Sequence, residues 1–232
     1  MSTNPISRPG TSTTGLLGWL SPVAILAAIY ITLVWVPPDA EMGDFQRIFY
    51  FHVPSAWVAF LSFFVTCVSG IVYLRTRDFR WDFVAVSSAE IGVVFTTAAL
   101  ITGSIWAKPI WGSWWTWDPR LTTTLVLWFI YVAYLVLRKN VDDPSRRASL
   151  SAVIGIVGFV DVPIVFMSIR WWRTIHPIVF EGSEFRVAPV MMVALLASLA
   201  AFTIFYAYLL QVRTALERVR MQADALEQSS WD

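Results

Sequence analysis

Six runs of apolar residues dominate the chain, each long enough to cross a hydrocarbon core at about 20 helical residues per crossing. They fall near Leu16–Val36, Ser55–Leu74, Phe83–Ala107, Leu121–Leu137, Ser149–Ile169 and Ala188–Val212. All are apolar nearly all round, as suits helices that face both lipid and one another. The expected fold is an all-α integral membrane protein, a bundle of six transmembrane helices whose loops are too short for a separate domain. The first run exceeds the roughly 7–15 residues of a signal-peptide core and ends in Val36-Pro37-Pro38, so it is read as retained.

Composition narrows the function. Only 14% of residues are charged, against about 25% in soluble domains. The 17 Lys+Arg nearly balance the 16 Asp+Glu, so no polybasic field invites nucleic acid. Cys67 is the one cysteine, which excludes an intrachain disulfide, a CxxC metal knuckle and a CxxCH attachment site. It reads as core packing.

Cytoplasmic loops carry the excess of Lys and Arg. The N-terminus, the second and fourth loops and the C-terminus hold Arg8, Arg75, Arg77, Arg80, Arg138, Lys139, Arg146, Arg147, Arg213, Arg218 and Arg220. The other loops hold only Arg47, Lys108, Arg120, Arg170, Arg173 and Arg186. Both termini are therefore expected in the cytoplasm, with the first, third and fifth loops outside it, in the periplasm of a bacterium. Residues 1–14 read as a disordered cytoplasmic tail, 15–212 as the transmembrane domain and 213–232 as a cytoplasmic helical tail that continues the last helix.

Of 13 tryptophans, Trp106, Trp111, Trp114, Trp115 and Trp117 crowd into the third loop, residues 106–120. An interfacial belt would spread them over all helix ends. A crowd on one side suits a large, flat, partly apolar ligand on which rings can stack. Gly112 lets the backbone turn; in an extended loop Trp111, Trp115 and Trp117 would share a face and Trp114 would take the other. Asp118 precedes Pro119 and is expected to cap the fourth helix.

The only two histidines, His52 and His176, fall at this same face, each close to a proline and so each expected just outside regular helix. Two imidazoles and an aromatic platform match the needs of haem, namely two axial nitrogens and stacking for the macrocycle. Its propionates want cations, and Arg47, Lys108, Arg120 and Arg173 are the candidates on that face. Within the bilayer, Glu90 has no basic residue expected at its depth, and Asp161 is expected to brace the His176 side; both read chiefly as structural polar groups.

The segment Trp111-Gly112-Ser113-Trp114-Trp115-Thr116-Trp117-Asp118 resembles the WWD signature (WGxxWxWD) of haem-handling membrane proteins in cytochrome c maturation. The six-span size, His52-Val53-Pro54 and Trp171-Trp172-x-x-x-His176 are similar to the haem exporter protein C (CcmC) family, over nearly the whole chain apart from its ends. That resemblance implies His52 and His176 as axial ligands of a transient, non-covalent haem b, with Trp111, Trp114, Trp115, Trp117 and Asp118 as its platform. It implies a transfer subunit without its own ATPase, in keeping with the lack of a Walker A sequence. The partners implied are the periplasmic haem chaperone CcmE, to which haem becomes covalently attached, the ABC-type ATPase and permease CcmA and CcmB, and the small single-span CcmD. The setting implied is the bacterial inner membrane. Two other readings stand beside it: a structural or permease subunit without a haem site, and a larger WWD haem lyase, against which two histidines in six spans argue.

Overall fold

A computed structural model describes residues 11–176, 180–181, 184–185 and 188–229. Residues 1–10 and 230–232 of the two expected tails lie outside the described residues, as does Arg186. The chain runs α1 (Thr11–Tyr30), α2 (Phe49–Thr76), α3 (Phe79–Trp111), α4 (Pro119–Lys139), α5 (Pro144–Phe159), α6 (Asp161–Trp171) and α7 (Pro189–Ser229). Six helical segments are long and apolar enough to cross a membrane, α5 and α6 together forming one of them. This is the expected all-α membrane fold. A two-residue hairpin pairs Phe180–Glu181 with Glu184–Phe185 in the fifth loop. α1 begins at Thr11, inside the stretch expected to be unstructured, and α7 continues as one helix to Ser229.

Each boundary has a local cause. Asp78, Asp118 and Asp143 accept a backbone N–H at the starts of α3, α4 and α5, which satisfies donors that have no helical acceptor. α3 stops at Gly112, whose φ of 73° is the left-handed conformation that ends a helix at little cost. Val160 interrupts the fifth span, because Pro163 removes the N–H that would bond the Phe159 carbonyl. Asp161 sits at this interruption, with Oδ2 buried and without a hydrogen-bond partner among the described residues.

α2 and α3 pack along their length and form the spine, with α5 and α7 against α2 and with α1 against α7. The main core joins Val58, Phe63, Phe95, Leu127, Tyr131 and Val165, and the rings of Phe63 and Tyr131 stack at 3.7 Å. Gly92 makes this possible, since a Cβ there would stand 2.4 Å from Phe63 Cε1. Cys67 is buried, as expected of a packing residue.

Two charge clusters tie the opposite end of the bundle. Arg138 of α4 donates to both oxygens of Asp82 on α3, at 2.6 and 2.8 Å, and both side chains are buried. Glu90, expected to lack a basic partner, is paired with Arg213 of α7, whose Nε donates at 2.8 Å. Arg213 also meets Glu217 at 3.0 Å. The expectation failed because Arg213 was assigned to the cytoplasmic tail, whereas its long side chain reaches Glu90.

Candidate functional site

The first, third and fifth loops meet at one end of the bundle, above a cavity of about 590 Å³ enclosed by α2, α3, α6 and α7. This size falls within the usual range for ligand pockets, roughly 300–1,000 Å³. Its deeper wall is apolar, with Ala56 and Phe60 of α2, Phe166 of α6 and Leu195 and Leu199 of α7. Its mouth is lined by His52, His176, Trp106, Trp111, Trp115 and Arg120.

His52 differs from expectation in lying inside α2 rather than outside regular helix. The helix starts before Pro54, which here removes only the N–H that would bond the Tyr50 carbonyl, close to the helix start. The imidazole is thus carried on the rigid spine. His176 follows α6 in irregular chain, as expected, and its backbone N–H donates to Thr174 Oγ1 at 3.0 Å. The two imidazole rings face one another with centroids 6.4 Å apart and planes inclined by 35°.

That spacing has a chemical meaning. Two metal–nitrogen bonds of roughly 2 Å, plus about 1 Å from each nitrogen to its ring centre, span about 6 Å. Among the described residues no group of three or more His, Cys, Asp and Glu surrounds the pair. The spacing leaves room for one metal between the two rings.

The tryptophans divide. Trp106 packs near His52 at 6.1 Å between centroids, and Trp111 meets His176 edge-on at 6.3 Å. Trp111 and Trp115 line the cavity, whereas Trp114 and Trp117 are exposed, at 58% and 75%. Trp117 does not share the face of Trp111 and Trp115, as an extended loop would require. Trp111 is the last residue of α3, and the left-handed turn at Gly112 resets the direction of the chain. Trp117 instead stands edge-on to Trp115 at 5.8 Å and lines a shallow cleft with Arg173 and Thr174. The indole N–H groups of Trp106 and Trp115 are buried without a hydrogen-bond partner among the described residues, although their rings line the cavity. Unpaired donors of this kind are expensive unless a ligand supplies the acceptor.

The four candidate cations also separate. Arg120 lines the mouth, and its guanidinium makes no hydrogen bond or ion pair among the described residues. Arg47 is committed to Asp44 and to the carbonyls of Thr32 and Val36. Lys108 Nζ donates to the Gly112 carbonyl at 3.0 Å, and Arg173 lines the shallow cleft. Arg170, absent from the candidates, lines the cavity. Its position at the last turn of the fifth span, immediately before the Trp171-Trp172 pair, is the signal that points to it.

Asp118 does more than cap. It is 8% exposed, Oδ1 accepts the Arg120 N–H at 3.0 Å, and Oδ2 accepts the Ile175 N–H at 3.0 Å. One carboxylate thereby joins the tryptophan loop to the residue beside His176, and both its oxygens are occupied by the protein itself.

The profile of the family described as "Heme exporter protein C" matches residues 6–229. A protein of that name from Bradyrhizobium diazoefficiens is 36% identical over 227 residues, covering 94% of this chain and 85% of its own. One from Paracoccus denitrificans is 34% identical over 234 residues, covering 96% and 94%. One from Escherichia coli K12 is 36% identical over 168 residues, covering 69% of each.

Proposed function

The chain belongs to the haem exporter protein C family, and from that premise we propose that it holds haem b at the periplasmic membrane face between His52 and His176. The role is haem delivery for cytochrome c biogenesis by a multi-pass membrane protein. The observation that carries the reading is the 6.4 Å spacing of the facing imidazoles at the mouth of an aromatic cavity. When bound, haem supplies an iron whose four equatorial positions are already filled, and two imidazole nitrogens then complete its coordination. No open position remains, which suits a carrier more than an oxygenase.

The chain's own residues do the rest. Trp111 and Trp115 cover the ring, and the apolar wall at Phe166 and Leu195 excludes water from its inner edge. Arg120, at the cavity mouth, would meet a propionate. Asp118 acts as a positioning residue that holds the His176 segment against the tryptophan loop. The outer edge of the ring is left toward the exposed Trp114 and Trp117, open to a soluble acceptor. On this reading the acceptor is the chaperone CcmE, reached while haem is held non-covalently. The chain works beside CcmA, CcmB and CcmD in the inner membrane, without an ATPase of its own.

The test is the Soret region of the detergent-purified chain expressed with ample haem, repeated for His52→Ala and His176→Ala. The expected wild type is low-spin, and each variant loses haem or turns high-spin. A colourless wild type, or variants with unchanged spectra and haem content, overturns the assignment.

A further inference from the structure

His52 is gripped from behind by α3. Its Nδ1 lies 3.1 Å from the Ala99 carbonyl oxygen and 3.1 Å from Thr102 Oγ1. A carbonyl only accepts, so the contact with Ala99 requires the proton on Nδ1 and leaves the lone pair on Nε2. The Thr102 hydroxyl proton is engaged elsewhere, since Oγ1 donates to the Ala98 carbonyl at 2.7 Å. Its oxygen therefore faces the imidazole as an acceptor. Gly103 closes the grip, because a Cβ there would stand 3.0 Å from His52 Cε1 and 3.5 Å from Nδ1. That is tighter than most side-chain contacts, so the ring would have to give by a few tenths of an ångström. Ala99, Thr102 and Gly103 are spaced three and four apart and so present one face of the helix.

We infer that Thr102 and Gly103 are positioning residues for His52: beside the Ala99 carbonyl that fixes the Nδ1–H tautomer, Thr102 Oγ1 is a second acceptor that makes the imidazole a stronger electron donor, and Gly103 leaves the ring room to aim Nε2 at the iron. The inference rests on His52 being a haem ligand, as proposed above. Acceptors behind a ligating imidazole fix its orientation and raise its basicity, and losing such a partner typically costs about 10–100-fold in metal affinity. Stronger donation favours ferric over ferrous iron, so the grip lowers the midpoint potential of the bound haem.

The full chain, purified in detergent and loaded with haem, is compared with Thr102→Val, Thr102→Ser, Gly103→Ala and His52→Ala. Haem retention, ferric spectrum and midpoint potential are read for each. Thr102→Val keeps the shape and removes the second acceptor, leaving the Ala99 carbonyl in place. It is expected to retain haem about tenfold more weakly, at a more positive potential and with a low-spin spectrum. Thr102→Ser restores both retention and potential, and Gly103→Ala shifts the ring and yields a high-spin fraction. Wild-type retention and potential in Thr102→Val, or no recovery in Thr102→Ser, overturns the assignment of Thr102; a wild-type spectrum in Gly103→Ala overturns that of Gly103. His52→Ala separates the two levels. If its spectrum is that of the wild type, ligation by His52 fails; if it loses the low-spin signature while Thr102→Val stays unchanged, ligation stands and the grip fails.

Discussion

Asp118 Oδ2 accepts the backbone N–H of Ile175 at 3.0 Å, so a residue of the tryptophan loop fixes the chain next to His176. The same carboxylate caps α4 through Oδ1. Asparagine can still cap, because its carbonyl oxygen accepts the Arg120 N–H. Its amide nitrogen cannot accept from Ile175. Asp118→Asn is therefore expected to leave the fold intact and to weaken haem retention by about tenfold, since hydrogen bonds to charged groups contribute about 1.5–3 kcal/mol. Titrating haem into the purified variant measures this. Retention equal to the wild type would show that the Ile175 contact does not hold the site together.

Arg120 is expected to recognise a carboxylate, because its guanidinium lines the cavity mouth and makes no hydrogen bond or ion pair among the described residues, the Asp118 carboxylate acting on it only electrostatically. Arg120→Gln should weaken binding of haem but not of haem dimethyl ester, in which both propionates are uncharged. Lys108→Gln should leave both unchanged, since Lys108 is engaged with the Gly112 carbonyl. Equal losses for both ligands in Arg120→Gln would assign the arginine to the fold instead.

At the other end, the Asp82–Arg138 pair is buried and bidentate. Removing one partner leaves the other charge unpaired, so Arg138→Met should destabilise the protein by about 3–5 kcal/mol. The double variant Asp82→Leu/Arg138→Met should recover most of that loss. Thermal aggregation in detergent reads both, and a single variant as stable as the wild type would contradict it.

Gly92→Ala should destabilise by about 1–3 kcal/mol through overpacking, since its Cβ would stand 2.4 Å from Phe63 Cε1. Pairing it with Phe63→Leu should return part of the loss. The same thermal measurement decides, and no recovery in the pair would place the clash elsewhere.

Much of this was legible in the sequence, and the boundary has physical reasons. The spans followed from hydropathy, which depends only on local composition. The loop count placed Trp111, Trp115, His52 and His176 at one end. Orientation within that end was not legible, because the left-handed turn at Gly112 decides which way Trp114, Trp115 and Trp117 point. The cap at Asp118 followed from Asp-Pro, whereas its second acceptor depends on Ile175, far away in the chain. Glu90 and Arg213 were misread for a related reason: their pairing depends on how α3 and α7 lie against each other, which brings together residues far apart in the chain.

The two histidines stand on supports of unequal stiffness. His52 is carried by α2 and gripped by α3, the two helices that pack most closely, so moving its ring means moving the spine. His176 rides on irregular chain after α6, anchored where Ile175 meets Asp118. One imidazole is thus held across two long packed helices, and the other by a chain segment tied to the tryptophan loop.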